Sequence, residues 1–223
     1  MENGVIVATN QAQEWLLPWW WDHFSRHSSL PVCFFDLGMS KDARKWCKSK
    51  GMVMQLPAPP SQTHPWFQKP ICCEKSPFFK TLWIDLDCEI VGSLEEAFEL
   101  LDSPAQISLA HESFPLPHIP YPTYNSGVVA FLKDSPIIQE WAFLTPHIGH
   151  LYRGDQDLLS AILFKKSLWM YPLPARLNWS HQHKATPDEI KIIHWHGPLG
   201  KEFILRKMKK EYPGSHHEKS VRN

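Results

Sequence analysis

Short apolar runs alternate with amphipathic stretches along the first quarter of the chain. Residues 4–9 (GVIVAT) are β-branched and predict a buried first strand. A helix is expected from residue 11 to about 27, with Asn10 as its N-cap and an apolar face carrying Trp19, Trp20 and Trp21. Residues 32–36 predict a second strand, and residues 41–50 a polar helix capped by Ser40 and stopped by Gly51. Residues 52–56 predict a third strand. Strand, helix, strand, helix, strand in this order implies parallel strands with helices on the faces of the sheet.

The pattern continues less regularly. A Pro-rich loop spans residues 57–70, and a helix is expected over about 70–78. Strands are expected at 81–85, 106–110, 126–132, 168–172 and 190–195, with helices at 94–101 (capped by Ser93), 136–143 and 154–164. Residues 111–124 hold four Pro and read as irregular. No repeat and no interdomain linker is visible. The expectation is one domain over residues 1–203 and a basic, flexible tail over 204–223, in which a solvated end is favoured over a peripheral membrane contact.

Composition narrows the class. The chain has 223 residues, 43% hydrophobic and 21% charged, with 11 Trp and 12 Phe. That suits one globular domain with a large core and disfavours disorder. The formal net charge is zero, without the basic excess of nucleic-acid binders. Five Cys without CxxC spacing argue against a disulfide framework and a Cys-rich zinc site, so a reducing, cytoplasmic location is expected. No apolar run reaches the length of a transmembrane helix, and the acidic start does not read as a secretory signal.

Four short constellations carry candidate chemistry. The apolar run at 81–84 ends in Asp85-Leu86-Asp87. Ligands of open α/β sheets bind beyond the carboxyl ends of the strands, and paired carboxylates there suit Mg²⁺ or Mn²⁺ gripping a diphosphate. Asn125-Ser126-Gly127 opens another strand and offers a donor and an acceptor to a sugar hydroxyl. Asp155-Gln156-Asp157 opens a helix that Asp155 is placed to cap. His194 and His196 end a late strand, with Lys201 following. Each constellation also has a bland reading as a turn, a cap or a solvated pair.

Taken in this order, the four constellations resemble glycosyltransferase family 8 and its relatives over roughly residues 4–203. The resemblance implies a GT-A fold, a nucleotide-binding α/β sandwich with a mainly parallel sheet. It implies transfer of a hexose-type sugar from a nucleotide-sugar, a UDP-sugar by this likeness, to an acceptor hydroxyl of a saccharide, lipid or protein, with retention. It implies Mn²⁺ or Mg²⁺ on Asp85, Asp87 and His194, and a nucleoside along Ala8, Thr9 and Asn10. Asn125 would contact the donor sugar, Asp155 and Gln156 would lie beside the anomeric carbon, and Lys201 would reach the diphosphate. The family places its Lys six residues after the His within Lys-Pro-Trp; here Lys201-Glu202-Phe203 begins seven residues after His194. That offset leaves both His194 and His196 open as the ligand.

Rival readings are a nucleotidyltransferase, a catalytically inactive carbohydrate- or nucleotide-binding module, and a zinc protein built on His194, His196 and nearby Cys. Asn10-Gln11-Ala12-Gln13 after the first strand lacks the Gly and basic residue of the first rival. The absence of GxGxxG disfavours a dinucleotide-dependent oxidoreductase.

Overall fold

The computed structural model describes residues 3–56, 65–112, 119–183 and 188–211. In chain order the elements are β1 (Asn3–Thr9), α1 (Leu17–His27), β2 (Val32–Asp36), α2 (Lys41–Lys48), β3 (Met52–Gln55), α3 (Lys69–Glu74), β4 (Lys80–Ile84), β5 (Cys88–Ile90), β6 (Ile107–His111), β7 (Tyr124–Leu132), α4 (Pro136–Ile148), α5 (Asp155–Lys166), β8 (Trp179–Ser180), β9 (Ile192–His194) and α6 (Gly197–Glu211). Six strands form the main sheet in the order β3-β2-β1-β4-β7-β6, and β5, β9 and β8 form a smaller one.

The expected α/β sandwich is present. β1 pairs in parallel with β2 and β4, β2 pairs in parallel with β3, and β7 runs antiparallel between β4 and β6. The sheet is apolar on both faces because successive residues of β1 feed different cores. Val5 and Val7 join α1, α2 and α6 on one side, whereas Ile6 joins α3, α4 and α5 on the other. This two-sided burial explains why β1 and β2 read as continuous apolar runs rather than alternating ones.

Several elements differ from expectation, each for a local reason. Asn10 does not cap a long helix. Its side chain accepts from the N–H groups of Ala12 and Gln13, making a turn, and a 3₁₀ turn at Glu14–Leu16 precedes α1. Pro18 then sits in the first turn of α1, where its missing N–H has no helical partner to lose. α3 ends at Glu74 because Pro77 disfavours helical backbone in the residue before it. The helix expected at 94–101 is only a 3₁₀ turn, Glu95–Phe98, with Leu94 rather than Ser93 at its N-cap. Ser40 does cap α2, accepting from Ala43 N–H at 3.1 Å.

The strand expected at 168–172 does not form. That segment meets β6 through isolated bonds, Ser108 Oγ donating to the Tyr171 carbonyl and Leu173 N–H to the Leu109 carbonyl. The flexible tail expected from residue 204 is instead helical to Glu211, with Ile204 and Met208 buried in the core. Residues 212–223 lie outside the described residues.

Candidate active site

The site lies beyond the carboxyl ends of β1 and β4. Asp85 extends the ladder of β4, its N–H donating to the Gly127 carbonyl at 2.8 Å. The chain then turns, with Cys88 N–H donating to the Asp85 carbonyl at 3.0 Å, so the two acids sit on a bend rather than on a continued strand. Asp87 leads directly into β5. Antiparallel pairing of β5 with β9 sets Cys88 opposite His194 and brings that imidazole to the acid. His194 Nε2 stands 3.4 Å from Asp87 Oδ1.

The tautomer of His194 follows from its other nitrogen. Nδ1 lies 3.1 Å from the side-chain oxygens of both Asn125 and Asn178, which only accept. Nδ1 therefore carries a proton, and Nε2 is the nitrogen directed at the carboxylate. A proton on Nε2, giving an imidazolium–carboxylate pair, or a metal ion held between the two satisfies that contact. Gly127 makes the approach possible, because a β-carbon there would lie 2.1 Å from His194 Cε1. His196 is turned elsewhere, its Nε2 2.6 Å from Ser180 Oγ. Burial, with His194 and His181 nearby, pushes His196 down to about 4.

The two acids differ in charge environment. Burial raises Asp85 above the ordinary carboxylate value despite Lys69, and Asp87 beside it adds to the rise. Burial also opposes ionisation of Asp87, but His194 and Lys201 hold its carboxyl well below that range. Lys201, in the first turns of α6, donates to Asp87 Oδ2 at 2.9 Å. Asp87, Cys88 and His194 form a group whose ligand atoms lie close enough to share one ion. Burial pushes the Cys88 thiol far up, so it stays protonated without a metal, which leaves carboxylate oxygen and imidazole nitrogen as the ready donors.

The carboxylate of Asp155 does not cap α5; Gly154 holds that position without a side-chain bond. Asp155 instead accepts from Ser126 Oγ at 2.7 Å and faces Lys69 Nζ at 3.4 Å. The Gln156 side-chain amide donates to Glu112 at 2.9 Å, and Asn125 Nδ2 donates to the same oxygen at 3.1 Å. Two adjoining clefts result. One, of ≈ 340 Å³, includes Ala8, Thr9, Asn10, Asp85, Asp87 and Lys201 in its lining. The other, of ≈ 370 Å³, includes Asn125, Asp155, Gln156 and His194 and shares Lys69, Asp85 and Asp87 with the first. Every residue singled out in the sequence thus lies on one of two contiguous clefts.

Three participants carried no signal in the sequence. Lys69 is buried, and its ammonium contacts Asp85 Oδ2 at 3.1 Å, the Ser126 carbonyl at 3.0 Å and Ser126 Oγ at 3.1 Å. It sits at the junction of a Pro-rich loop and a short helix, where a lysine ordinarily reads as solvated. Its partners are 16 and 57 positions away, and only the fold joins them. Glu112 lies in a stretch read as irregular, and Asn178 in a segment with no motif.

No family model matches the sequence, and no curated protein matches it. Solved structures do. The glycosyltransferase GlyE of Streptococcus pneumoniae TIGR4 superposes with a TM-score of 0.66 at 16% identity, covering 95% of this chain. The fold is that of the GT-A glycosyltransferases. This chain spans 64% of the GlyE chain. Mouse xyloside xylosyltransferase 1 gives a TM-score of 0.60 at 15% identity, with 87% of this chain and 97% of that one covered. LgtC, a galactosyltransferase solved with donor and acceptor sugar analogs, gives 0.61 at 12% identity, covering 91% and 94%. Among the described residues no helix is long and apolar enough to cross a membrane.

Proposed function

We propose that this chain transfers a sugar, of hexose type, from a nucleoside diphosphate sugar to an acceptor hydroxyl. A divalent ion, Mn²⁺ or Mg²⁺, would be held by Asp85, Asp87 and His194. The observation that carries this reading is His194 Nε2 standing 3.4 Å from Asp87 Oδ1 beyond the end of β4, with Nδ1 committed to Asn125 and Asn178. The ligand atoms of Asp87 and His194 lie close enough to share one ion, an oxygen–nitrogen pair that suits a hard or borderline divalent ion. Asp85, whose carboxylate accepts from Lys69 and the Trp83 indole, would turn from these partners to join them. When bound, such an ion acts as a Lewis acid that neutralises the departing diphosphate.

The chain's own residues supply the rest. Ala8, Thr9 and Asn10 wall the nucleoside end of the first cleft. Lys201 adds a positive charge where the diphosphate lies. Lys69 keeps Asp85 and Asp155 from repelling one another. Asp155, immobilised by Ser126, and Gln156, oriented by Glu112, face the anomeric carbon, with Asn125 on the donor sugar. A uridine diphosphate donor and retention at the anomeric carbon are part of the proposal and rest on the family resemblance.

The experiment is turnover of labelled UDP-sugars with and without Mn²⁺, in the native chain and in Asp87→Asn. The expected result is metal-dependent release or transfer of sugar that drops about 100-fold or more in the variant. Full activity in Asp87→Asn with an unaltered metal requirement would sink the assignment. Binding of UDP without turnover of any donor in the panel would reduce the chain to a binding module.

A further inference from the structure

Two residues beyond Asp87, Glu89 is 5% exposed yet ionisable. Its neighbours on β5, Cys88 and Ile90, are fully buried, so an apolar side chain would close this strand at lower desolvation cost. Instead its carboxylate collects donors from α1, from α6 and from the residue that follows β9. Lys207 of α6 approaches Oε1 at 2.6 Å, His23 of α1 approaches the same oxygen at 3.3 Å, and the indole N–H of Trp195 donates to Oε2 at 2.8 Å. The far nitrogen of His23 lies 2.9 Å from the Trp19 carbonyl, which fixes the ring on α1.

These partners meet again at the cleft. Trp195 N–H donates to the Asp87 carbonyl at 2.9 Å, and its ring stacks on Phe203 of α6 with centroids 3.9 Å apart. A β-carbon on Gly200 would lie 2.0 Å from the Trp195 carbonyl oxygen, so the start of α6 is seated directly on this residue. Lys201 is the next residue. The opposite wall of the cleft is formed by the chain entering α1, through Asn10, Gln13 and Leu16. Buried ion pairs of this kind add little net stability but can specify one arrangement among several.

We propose that Glu89 is a positioning residue that clasps α6 to α1 and thereby fixes where Lys201 stands at the diphosphate end of the cleft. The assignment rests on reading that cleft as the nucleotide-sugar site. Glu89 itself touches no substrate; it acts through Trp195 and Lys207.

The test is a thermodynamic cycle on the full chain: Lys201→Ala, Glu89→Leu and the double variant. Calorimetry reads affinity for UDP with Mn²⁺, and uridine serves as a ligand without the diphosphate. Loss of the Lys201 contact is expected to weaken UDP about 10-fold. Glu89→Leu is expected to weaken UDP by about 5- to 10-fold while leaving uridine unaltered, and the double variant to bind no worse than Lys201→Ala alone. Multiplying losses in the double variant, native UDP affinity in Glu89→Leu, or equal weakening of uridine would overturn the clasp. If circular dichroism shows Glu89→Leu unfolded, Lys207→Met breaks the clasp from its more exposed end and enters the same cycle under the same criteria. Failure of the cleft reading looks different. The native chain then does not bind UDP, or Lys201→Ala binds it unchanged, and the clasp falls with it.

Discussion

Gly127 and Lys69 carry opposite kinds of constraint on the same few side chains. Gly127 leaves the space that His194 fills, so Gly127→Ala must displace either the imidazole or β7. The expected outcome is a loss of about 1–3 kcal/mol in urea unfolding and a loss of metal-dependent UDP binding measured by calorimetry. Lys69→Met removes a buried cation shared by Asp85 and Asp155 and leaves the half-buried Asp85 and the buried Asp155 without it. Breaking a buried pair from one side costs about 3–5 kcal/mol, so this variant is expected to melt well below the native chain and to lose turnover even where it folds. At this scale the sequence was informative about donors and silent about their partners. Asp85, Asp87, Asn125, Asp155 and His194 stand in short recognisable runs, whereas Lys69, Glu112 and Asn178 acquire their roles only when distant segments meet. That His194 rather than His196 stands against Asp87 follows from the β5–β9 register, which no local pattern encodes.

The elements were legible where hydrophobic period and capping chemistry agreed, and illegible where they conflicted. β1, β2 and α2 follow from β-branched runs and from Ser40. α6 was read as a solvated tail because its Lys and Arg residues mask an apolar i, i+4 pair, Ile204 and Met208, on the buried face. Ile204→Ala is expected to cost about 2–5 kcal/mol, read by thermal unfolding, where a flexible tail would lose nothing. The contact between α1 and β5 adds a pH dependence. Burial favours the neutral imidazole of His23, but Glu89 and the Trp19 carbonyl overcome it and raise His23 above its ordinary 6.5. A group held protonated in the fold contributes stability that is complete below 6.5 and is lost as pH rises through the folded value. The melting temperature is therefore expected to fall as pH rises above 6.5, and His23→Gln to flatten that slope.

Across the whole molecule, the six-stranded sheet, the smaller β5-β9-β8 sheet and α6 together bring residues from both ends of the chain to one place. Alternation of strands and helices implied the sandwich and the parallel half of the sheet. It did not reveal that β7 would insert antiparallel between β4 and β6, since pairing order depends on which apolar faces fit. All five cysteines are free and buried, so a reducing agent is expected to leave the melting temperature unchanged. UDP with Mn²⁺ at about 100 times its dissociation constant is expected to stabilise the fold by about 2.7 kcal/mol, a rise of about 5–10 °C for a chain of this size. Absence of any such rise with UDP and every divalent ion tried would count against the site.

The first cleft is built from Thr9 near one terminus, Asp87 in the middle and Lys201 near the other. A molecule lodged there would therefore act as a non-covalent tether between regions far apart in sequence. Amide deuterium uptake should slow not only around Thr9 and Asp87 but also along the last helix, through residues that never touch the ligand. The C-terminal quarter of the chain would report occupancy of a pocket whose other wall is laid down by its first ten residues.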